Sequence, residues 1–210
     1  MNPRIRVLTS IVAIACAWTS VSMGQRKPTP TSALRVVQMD GIDLEAFLAT
    51  LAADYQTTIG LEVDPEKPQS QIKLELRDVN FHQILDGIVN AEPKYRWREN
   101  DGSIGVSPVN GGSSLLDATI QSFQVRDVSR LAAIGHLLSL PEVQAIAASM
   151  NLKRRPPIGI SEQTEKLSFD LRGVTLRQAL NRIAADSGAR FWTFRRYPDG
   201  TFEIALPLRN

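Results

Sequence analysis

The chain has 210 residues, a formal net charge of +2 and a single cysteine, Cys16. A charge so close to neutral argues against a large nucleic-acid footprint, because phosphate binding needs clustered cations. One cysteine excludes an internal disulfide, and removal of Cys16 with a signal peptide would also exclude a thiolate metal site. Stability must therefore come from a packed core, and the length allows one or two small domains.

Residues 1–24 have the layout of a secretory signal peptide. Two arginines precede an apolar run over 7–23, and a polar stretch with prolines follows that run. Ser22 and Gly24 place small side chains before the cut, where a signal peptidase must accommodate them. We therefore expect cleavage after Gly24, export to the periplasm of a Gram-negative envelope, and a disordered linker over 25–33.

Two other interpretations of the N-terminus stay open. The apolar run is close to the lower limit of about 17 residues for a membrane span, so an uncleaved segment would anchor the chain. A lipoprotein cut at Cys16 is disfavoured, because Ala13 stands where a bulky aliphatic residue is usual. Cleavage after Gly24 would remove the cysteine from the mature protein.

The first half, 34–108, reads as strand, helix, strand, strand, helix, strand, strand. Apolar residues at helical spacing predict a helix in GIDLEAFLATLAADY, with Asp43 as its N-cap, and strands over 34–39 and 58–63 surround it. After the second helix, KYRWREN and SIGVSP flank an Asp-Gly pair. That pair is typical of a hairpin turn, because glycine accepts the positive φ that such turns require.

Two stretches 95 positions apart, 76–88 and 171–183, repeat one pattern: LRDVNFHQILDGI and LRGVTLRQALNRI. In each, an alternating strand leads to a capping residue and then to a helix whose apolar residues share one face. Trp97 and Trp192 are also identical under this shift. Most shared residues are those that a helix needs to cover a sheet, so the repetition indicates a duplicated fold.

The stretch VNGGSSLLD predicts a linker over 109–116, and a second half follows over 117–207. It contains a strand in TIQSFQVRD, helices in LAAIGHLLSL and PEVQAIAASM, an exposed basic linker in KRRPP and a hairpin of RFWTFRR and TFEIAL. Each helix has one apolar face, so the predicted class is α+β: two small tandem modules, each a short sheet covered by two helices. The sequence leaves open whether the modules pack together or swing about the linker.

The two ends of the chain differ in charge. Residues 31–110 contain seven Lys or Arg and thirteen Asp or Glu, whereas residues 151–210 contain eleven and six. This polarity indicates unlike faces, either for partners or for each other.

The stretches IKLELRDVNFHQILDGIV and KLSFDLRGVTLRQALNRIAADSGARFW resemble the short N-terminal domain of secretins and TonB-dependent receptors, the STN-like module. The resemblance covers both repeats and, more weakly, 35–64. It implies a small α+β interaction domain that has no catalytic residues. Those families attach the module to a pore or receptor barrel, whereas this sequence ends at Asn210, so we expect the interaction role and not the channel activity.

Few residues point to catalysis or metal binding. His82 and His136 are the two histidines, and neither has a second histidine within a helical turn, as a zinc site would need. No G-x-S-x-G elbow accompanies them. The alternating acids Glu62, Asp64 and Glu66 lack the glycine of a tight calcium loop. We therefore predict no catalytic residue, no metal and no cofactor.

The strongest candidate contact surface is ARFWTFRRYPDGTFEI, which interleaves cations and aromatic rings on predicted hairpin strands. This composition is shared by nucleic-acid platforms and protein hot spots, and secretion argues against the former. The alternative is that the rings pack under the helices while the arginines stay exposed. With the similar YRWRE of the first half, the predicted partner-binding residues are Arg177, Arg182, Arg190, Trp192, Phe194, Arg196, Tyr95 and Trp97.

Small open sheets leave strand edges to which a partner's strand can be added, and we expect binding through 94–107 or 190–206. The predicted function is a non-catalytic interaction module of an outer-membrane secretion, pilus or TonB-receptor signalling system, with a protein partner and at most peripheral membrane contact. A periplasmic ligand-binding or sensing protein is the alternative. An envelope hydrolase that uses His82 or His136 is the least favoured hypothesis.

Overall fold

The computed structural model describes residues 37–66, 71–156 and 166–207, all within one compact unit, Ser32–Asn210. The predicted signal peptide and the linker over 25–33 lie outside the described residues, so export stays a prediction. Within the described ranges the chain forms five α-helices and ten β-strands. The predicted α+β class is confirmed.

The first half forms seven elements in the order that the apolar pattern predicts. They are β1 (Val37–Asp43), α1 (Leu44–Asp54), β2 (Thr58–Val63), β3 (Gln71–Leu76), α2 (Phe81–Ala91), β4 (Tyr95–Asn100) and β5 (Ser103–Pro108). Asp43 stands at the N-cap of α1, although its side chain makes no capping hydrogen bond.

The second half forms eight elements. They are β6 (Thr119–Ser129), α3 (Arg130–Leu138), α4 (Pro141–Ser149), β7 (Lys153–Arg154), β8 (Lys166–Thr175), α5 (Leu176–Asp186), β9 (Phe191–Arg196) and β10 (Thr201–Ala205). Pro141 begins α4, where its missing N–H would have no helical partner in any case. Part of the expected basic linker is a strand instead, because the Lys153 N–H donates to the Gly200 carbonyl at 2.9 Å.

The two repeats share their local structure as well as their sequence. Asn80 and Thr175 each cap a helix through a capping box. The capping side chain accepts from the third helical N–H, and the side chain of the glutamine at that third position accepts from the N–H of the capping residue. Two residues before these caps, Asp78 and Gly173 both adopt a left-handed backbone, with φ of 54° and 60°. Such conformations favour glycine and tolerate aspartate, so the two strand-to-helix turns are the same turn.

The main sheet joins the two halves, which differs from the separate sheet expected for each module. Its strand order is β4-β5-β2-β9-β10-β7, and β2 of the first half pairs in parallel with β9 of the second. All six residues of β2 are buried. A strand that is buried throughout needs a hydrogen-bonded neighbour on each side for its backbone N–H and C=O groups. β5 is the neighbour on one side of β2, and β9 is the neighbour on the other.

Helices cover the two faces of this sheet. Phe191 and Trp192 are neighbours in β9 but belong to different hydrophobic cores. Because successive strand residues point to opposite faces, the two cores lie on opposite faces of the sheet. Helices α1 and α2 contribute to the first core and α3, α4 and α5 to the second. The antiparallel ribbons β1-β3 and β6-β8 pack against α2 and α5 through β3 and β8.

The predicted linker over 109–116 is part of the packed structure. Leu115 and Leu116 are completely buried in the second core. The Leu116 carbonyl accepts from the Arg177 N–H at 2.9 Å, in the first turn of α5. The two halves therefore do not swing about this segment in the described structure.

Among the described residues, no single helix has the length and apolarity of a membrane span. Helices α3 and α4 reach that composition only as a pair, and the chain bends by 62° between them. Their apolar side chains, among them Leu137 and Val143, are buried in the second core.

Gly60 and Gly105, which pair across β2 and β5, give a matched test of the packing. A Cβ on Gly60 would lie 2.2 Å from Cζ2 of the buried Trp192, whereas a Cβ on Gly105 would meet no atom closer than 3.9 Å. We expect Gly60→Ala to lower the free energy of unfolding by about 3 kcal/mol through overpacking, and Gly105→Ala to change it by less than about 0.5 kcal/mol. Urea unfolding measures both, and equal effects would contradict the packing.

Candidate functional site

The strand β4 forms one end of the six-stranded sheet. β5 pairs with one side of it, and no described strand pairs with the other, which we call the β4 edge. The Val109 N–H donates to the Lys94 carbonyl at 2.7 Å, and hydrogen-bonded pairs alternate along an antiparallel ladder. The N–H and C=O groups of Trp97 and Glu99 therefore point to the β4 edge.

In the second repeat, the equivalent edge is occupied. β9 corresponds to β4, and β2 adds to it in parallel, with Gly60 opposite Trp192 and Glu62 opposite Phe194. The Ile59 N–H donates to the carbonyl of Arg190 at 2.9 Å. The molecule thus contains its own example of a strand bound to this type of edge.

The two repeated tryptophans are held in the same way. Trp192 Nε1 donates to Asn181 Oδ1 at 2.7 Å, and Trp97 Nε1 donates to Asp86 Oδ1 at 2.9 Å. Both acceptors lie eleven residues before the tryptophan, on α5 and α2. Trp192 is 0% exposed because β2 crosses beneath its ring at Gly60, whereas Trp97 is partly exposed.

A second pair of helix residues flanks the tryptophans. Arg177 Nη2 donates to Glu62 Oε1 at 2.6 Å, and this hydrogen bond connects α5 to β2. The equivalent residue of the first repeat is His82, whose Nε2 lies 3.0 Å from Glu99 Oε2 and whose ring stacks on Trp97 with centroids 5.5 Å apart. In the second repeat, Arg177 therefore binds the neighbouring strand β2. In the first repeat, where no described strand takes the place of β2, His82 contacts Glu99 of β4.

The Glu62–Arg177 pair also fixes the predicted linker. Glu62 is 3% exposed, and its Oε2 accepts from the Ser113 N–H at 2.7 Å. A buried carboxylate needs both a counter-charge and hydrogen bonds to offset its desolvation. Here α5 supplies the charge and the linker supplies a backbone donor, so β2, the linker and α5 meet at one carboxylate.

Three of the predicted contact residues lie in the cores. Trp192 and Phe194 are buried in the second core, and Tyr95 is buried in the first. The Tyr95 hydroxyl accepts from the Asp64 N–H at 3.0 Å, and burial raises the pKa of Tyr95. These rings are covered as the packing alternative expected, so they do not form a contact surface in this structure.

The predicted arginines lie nearer the surface. Arg182 is exposed and pairs with Asp186 at 2.6 Å along α5. Arg190 Nη1 donates to the Gln56 carbonyl at 2.9 Å, which ties the second half to the first. Arg196 is half-buried opposite Phe202. Of the predicted contact residues, Tyr95 and Trp97 lie on β4, the unpaired edge strand of the described sheet, and of these two only Trp97 has a partly exposed side chain.

The second predicted edge, 190–206, lies inside the sheet. β9 has a neighbour on both sides, and β7 covers part of β10. The Arg155 N–H donates to the Phe202 carbonyl at 2.8 Å, so the next residue, Pro156, faces outward without an N–H to donate. Arg155 also pairs with Asp199, and the Thr201 hydroxyl together with Arg155 holds the pKa of Asp199 at about 2.

The two histidines and the half-buried acid Glu45 are further ionisable groups in the described part of the chain. Neither His82 nor His136 is hydrogen-bonded to a hydroxyl group in the described part of the chain. No group of three or more potential metal ligands occurs among the described residues. Burial raises the pKa of Glu45, although Arg195 lies 2.7 Å away, and this pair links α1 to β9.

The described residues also form an apolar groove. Its volume is ≈ 300 Å³, and it lies between the end of α3, α4 and the start of β10. The lining residues are Leu138, Ser139, Val143, Gln144, Ala147, Ala148, Leu152, Arg154 and Phe202. Arg154 is the one charged residue among them.

The comparisons with known proteins give no relative. No family model, no curated protein and no solved structure matches the chain. The likeness to the STN-like module therefore stays a prediction from the repeated motifs.

The Glu62–Arg177 pair can be tested against an exposed pair on the same helix. Arg177→Ala would leave the buried Glu62 carboxylate without its counter-charge, and we expect a loss of about 3 kcal/mol in the free energy of unfolding. Arg182→Ala removes an exposed partner, so its effect should stay near 0.5 kcal/mol. Denaturant unfolding compares the two variants. Similar losses of unfolding free energy would contradict the view that Glu62 holds β2, the linker and α5 together.

Proposed function

We propose that the chain is a non-catalytic protein–protein interaction module of a cell-envelope assembly, of the kind found in secretion, pilus or TonB-receptor signalling systems. It binds its partner by adding the partner's strand to the β4 edge. One observation carries this proposal: β4 is unpaired among the described residues, whereas its repeat β9 binds β2 on the equivalent side.

The β4 edge offers the groups that strand addition needs. The backbones of Trp97 and Glu99 present two donors and two acceptors, and main-chain hydrogen bonds supply affinity in this mode of recognition. The unpaired edge also needs protection from non-specific pairing. Arg98, Glu99 and Asn100 are exposed there, and charged edge residues discourage aggregation of unpaired strands.

The envelope location rests on the sequence. The charged and apolar layout of 1–24 is typical of an exported protein, and the repeated motif resembles modules that act in the envelope. A cleaved mature chain would have no cysteine, which suits a core that is stabilised by packing alone.

Site-specific photo-crosslinking in envelope extracts tests strand addition. A crosslinker at Asn100, on the β4 edge, should trap a defined partner protein, whereas one at Arg172, which is exposed on β8, should not. Glu99→Pro removes one outward N–H without breaking a bond to β5, so the crosslink should be lost. Glu99→Ala is the matched control and should keep it.

Two outcomes would contradict the proposal. The first is an identical set of crosslinked proteins from both positions. The second is a crosslink at Asn100 that survives Glu99→Pro in a protein whose circular dichroism is unchanged.

The groove beside α4 favours a second candidate, a ligand-binding or sensing protein. Apolar walls with Arg154 among them suit a small apolar acid. Decanoate should then stabilise the protein, by about 2.7 kcal/mol at a hundredfold excess over Kd. Arg154→Gln should abolish the rise in melting temperature, and Lys153→Gln should not. An unchanged melting temperature at saturating decanoate would remove this candidate.

A further inference from the structure

We infer that the β4 edge selects an extended segment of another protein in which a glycine stands between two acidic residues, and that this segment lies parallel to β4. The inference rests on the proposed strand addition and names the chemistry of the partner. It follows from the register of β2 on β9 and from the residues in which β4 differs from β9.

The internal pair fixes the expected register. In β9, Phe191, Trp192 and Thr193 lie opposite Ile59, Gly60 and Leu61 of β2. The shift of 95 positions replaces the three β9 residues with Arg96, Trp97 and Arg98. An added strand in the same register would place one residue opposite each of these three.

The residue opposite the tryptophan must be glycine. A Cβ on Gly60 would lie within 2.8 Å of three atoms of the Trp192 indole, so the ring occupies the space of a side chain. Trp97 is held by the equivalent helix contact, through Asp86. Its ring therefore takes the same place beside an added strand, and a larger residue would have to displace it.

The residues on either side must be acidic. Where β9 offers Phe191 and Thr193 to the aliphatic residues of β2, β4 offers two arginines. Parallel neighbours on one face of a sheet interact side by side, so opposite charges stabilise the pair and like charges oppose it. Acidic residues before and after the glycine would each face one arginine.

Arg96 gives independent support. Its Nε is shielded from solvent and has no hydrogen-bond acceptor among the described residues. A shielded guanidinium nitrogen without an acceptor is unfavourable, and a carboxylate on an added strand would satisfy it. Arg96 and Arg98 share one face of β4, so two carboxylates spaced two residues apart fit both.

A second copy of this chain does not supply such a strand at its opposite sheet end. There β7 and the residue after it are Lys153, Arg154 and Arg155, which would repel the arginines of β4. Pro156 also removes an outward N–H from that end. The occupant is therefore a different protein with an acidic, glycine-containing segment.

Peptides that copy residues 56–65 test this specificity. All carry Glu62→Gln, because an acid there would face Glu99. The acidic peptide adds Ile59→Glu and Leu61→Glu, the basic peptide adds Ile59→Lys and Leu61→Lys, and a third adds Gly60→Val to the acidic one. Titration is followed through the indole N–H resonances of Trp97 and Trp192.

We expect the acidic peptide to shift the Trp97 resonance and to bind at least about tenfold more tightly than the basic peptide, with a difference that shrinks at high salt. The Trp192 resonance should not move. Gly60→Val in the peptide should weaken binding by about tenfold or more. In the protein, Arg98→Glu should reduce or reverse the preference for the acidic peptide over the basic peptide. Arg98→Gln should reduce this preference without reversing it.

Equal binding of the acidic and basic peptides, or of the glycine and valine peptides, would overturn the inference. If a partner is still trapped by the crosslinker at Asn100 and lost with Glu99→Pro, the proposed strand addition would stand while this specificity falls. A dimer of the protein that depends on Trp97 and Glu99 would also overturn it, because the occupant would then be a second copy.

Discussion

The parallel pairing of β2 with β9 joins the two halves of the chain in one sheet. This pairing gives the fully buried strand β2 its second hydrogen-bonded neighbour. The resulting sheet lies between two hydrophobic cores, one on each face. Gly60 is essential to this pairing, since the Trp192 ring fills the space that any side chain would need. The Glu62–Arg177 pair then anchors the same strand to α5 and the linker.

The repeat acquires its functional meaning from this pairing. Both copies hold a tryptophan through a helix residue eleven positions earlier, but among the described strands one covers the second copy and none covers the first. Trp97 lies between Arg96 and Arg98, at the positions where β9 has the buried Phe191 and Thr193. His82 likewise stands at the position of Arg177. The same backbone edge therefore serves as an internal joint in one copy and as an exposed, charged edge in the other.

Much of the fold could be predicted from the sequence, because local signals determined it. Apolar spacing, the caps at Asn80 and Thr175 and the hairpin turns gave the element order. The joining of the halves depends on contacts across more than a hundred residues, which periodicity does not carry. An isolated glycine in the buried run TIGLEV was the one available signal, since glycine within a strand often marks a close approach. Without that pairing, Trp192 and Trp97 could not be told apart as core and edge.

Amide hydrogen exchange in the free protein tests whether β4 presents an unpaired copy of the edge that β9 uses. The N–H groups of Trp97 and Glu99 should exchange rapidly, while that of Arg98, which faces β5, and those of Trp192 and Phe194, which face β2, should be protected. Protection of Trp97 and Glu99 equal to that of Arg98 would show instead that the β4 edge is already paired and is not free to bind a partner.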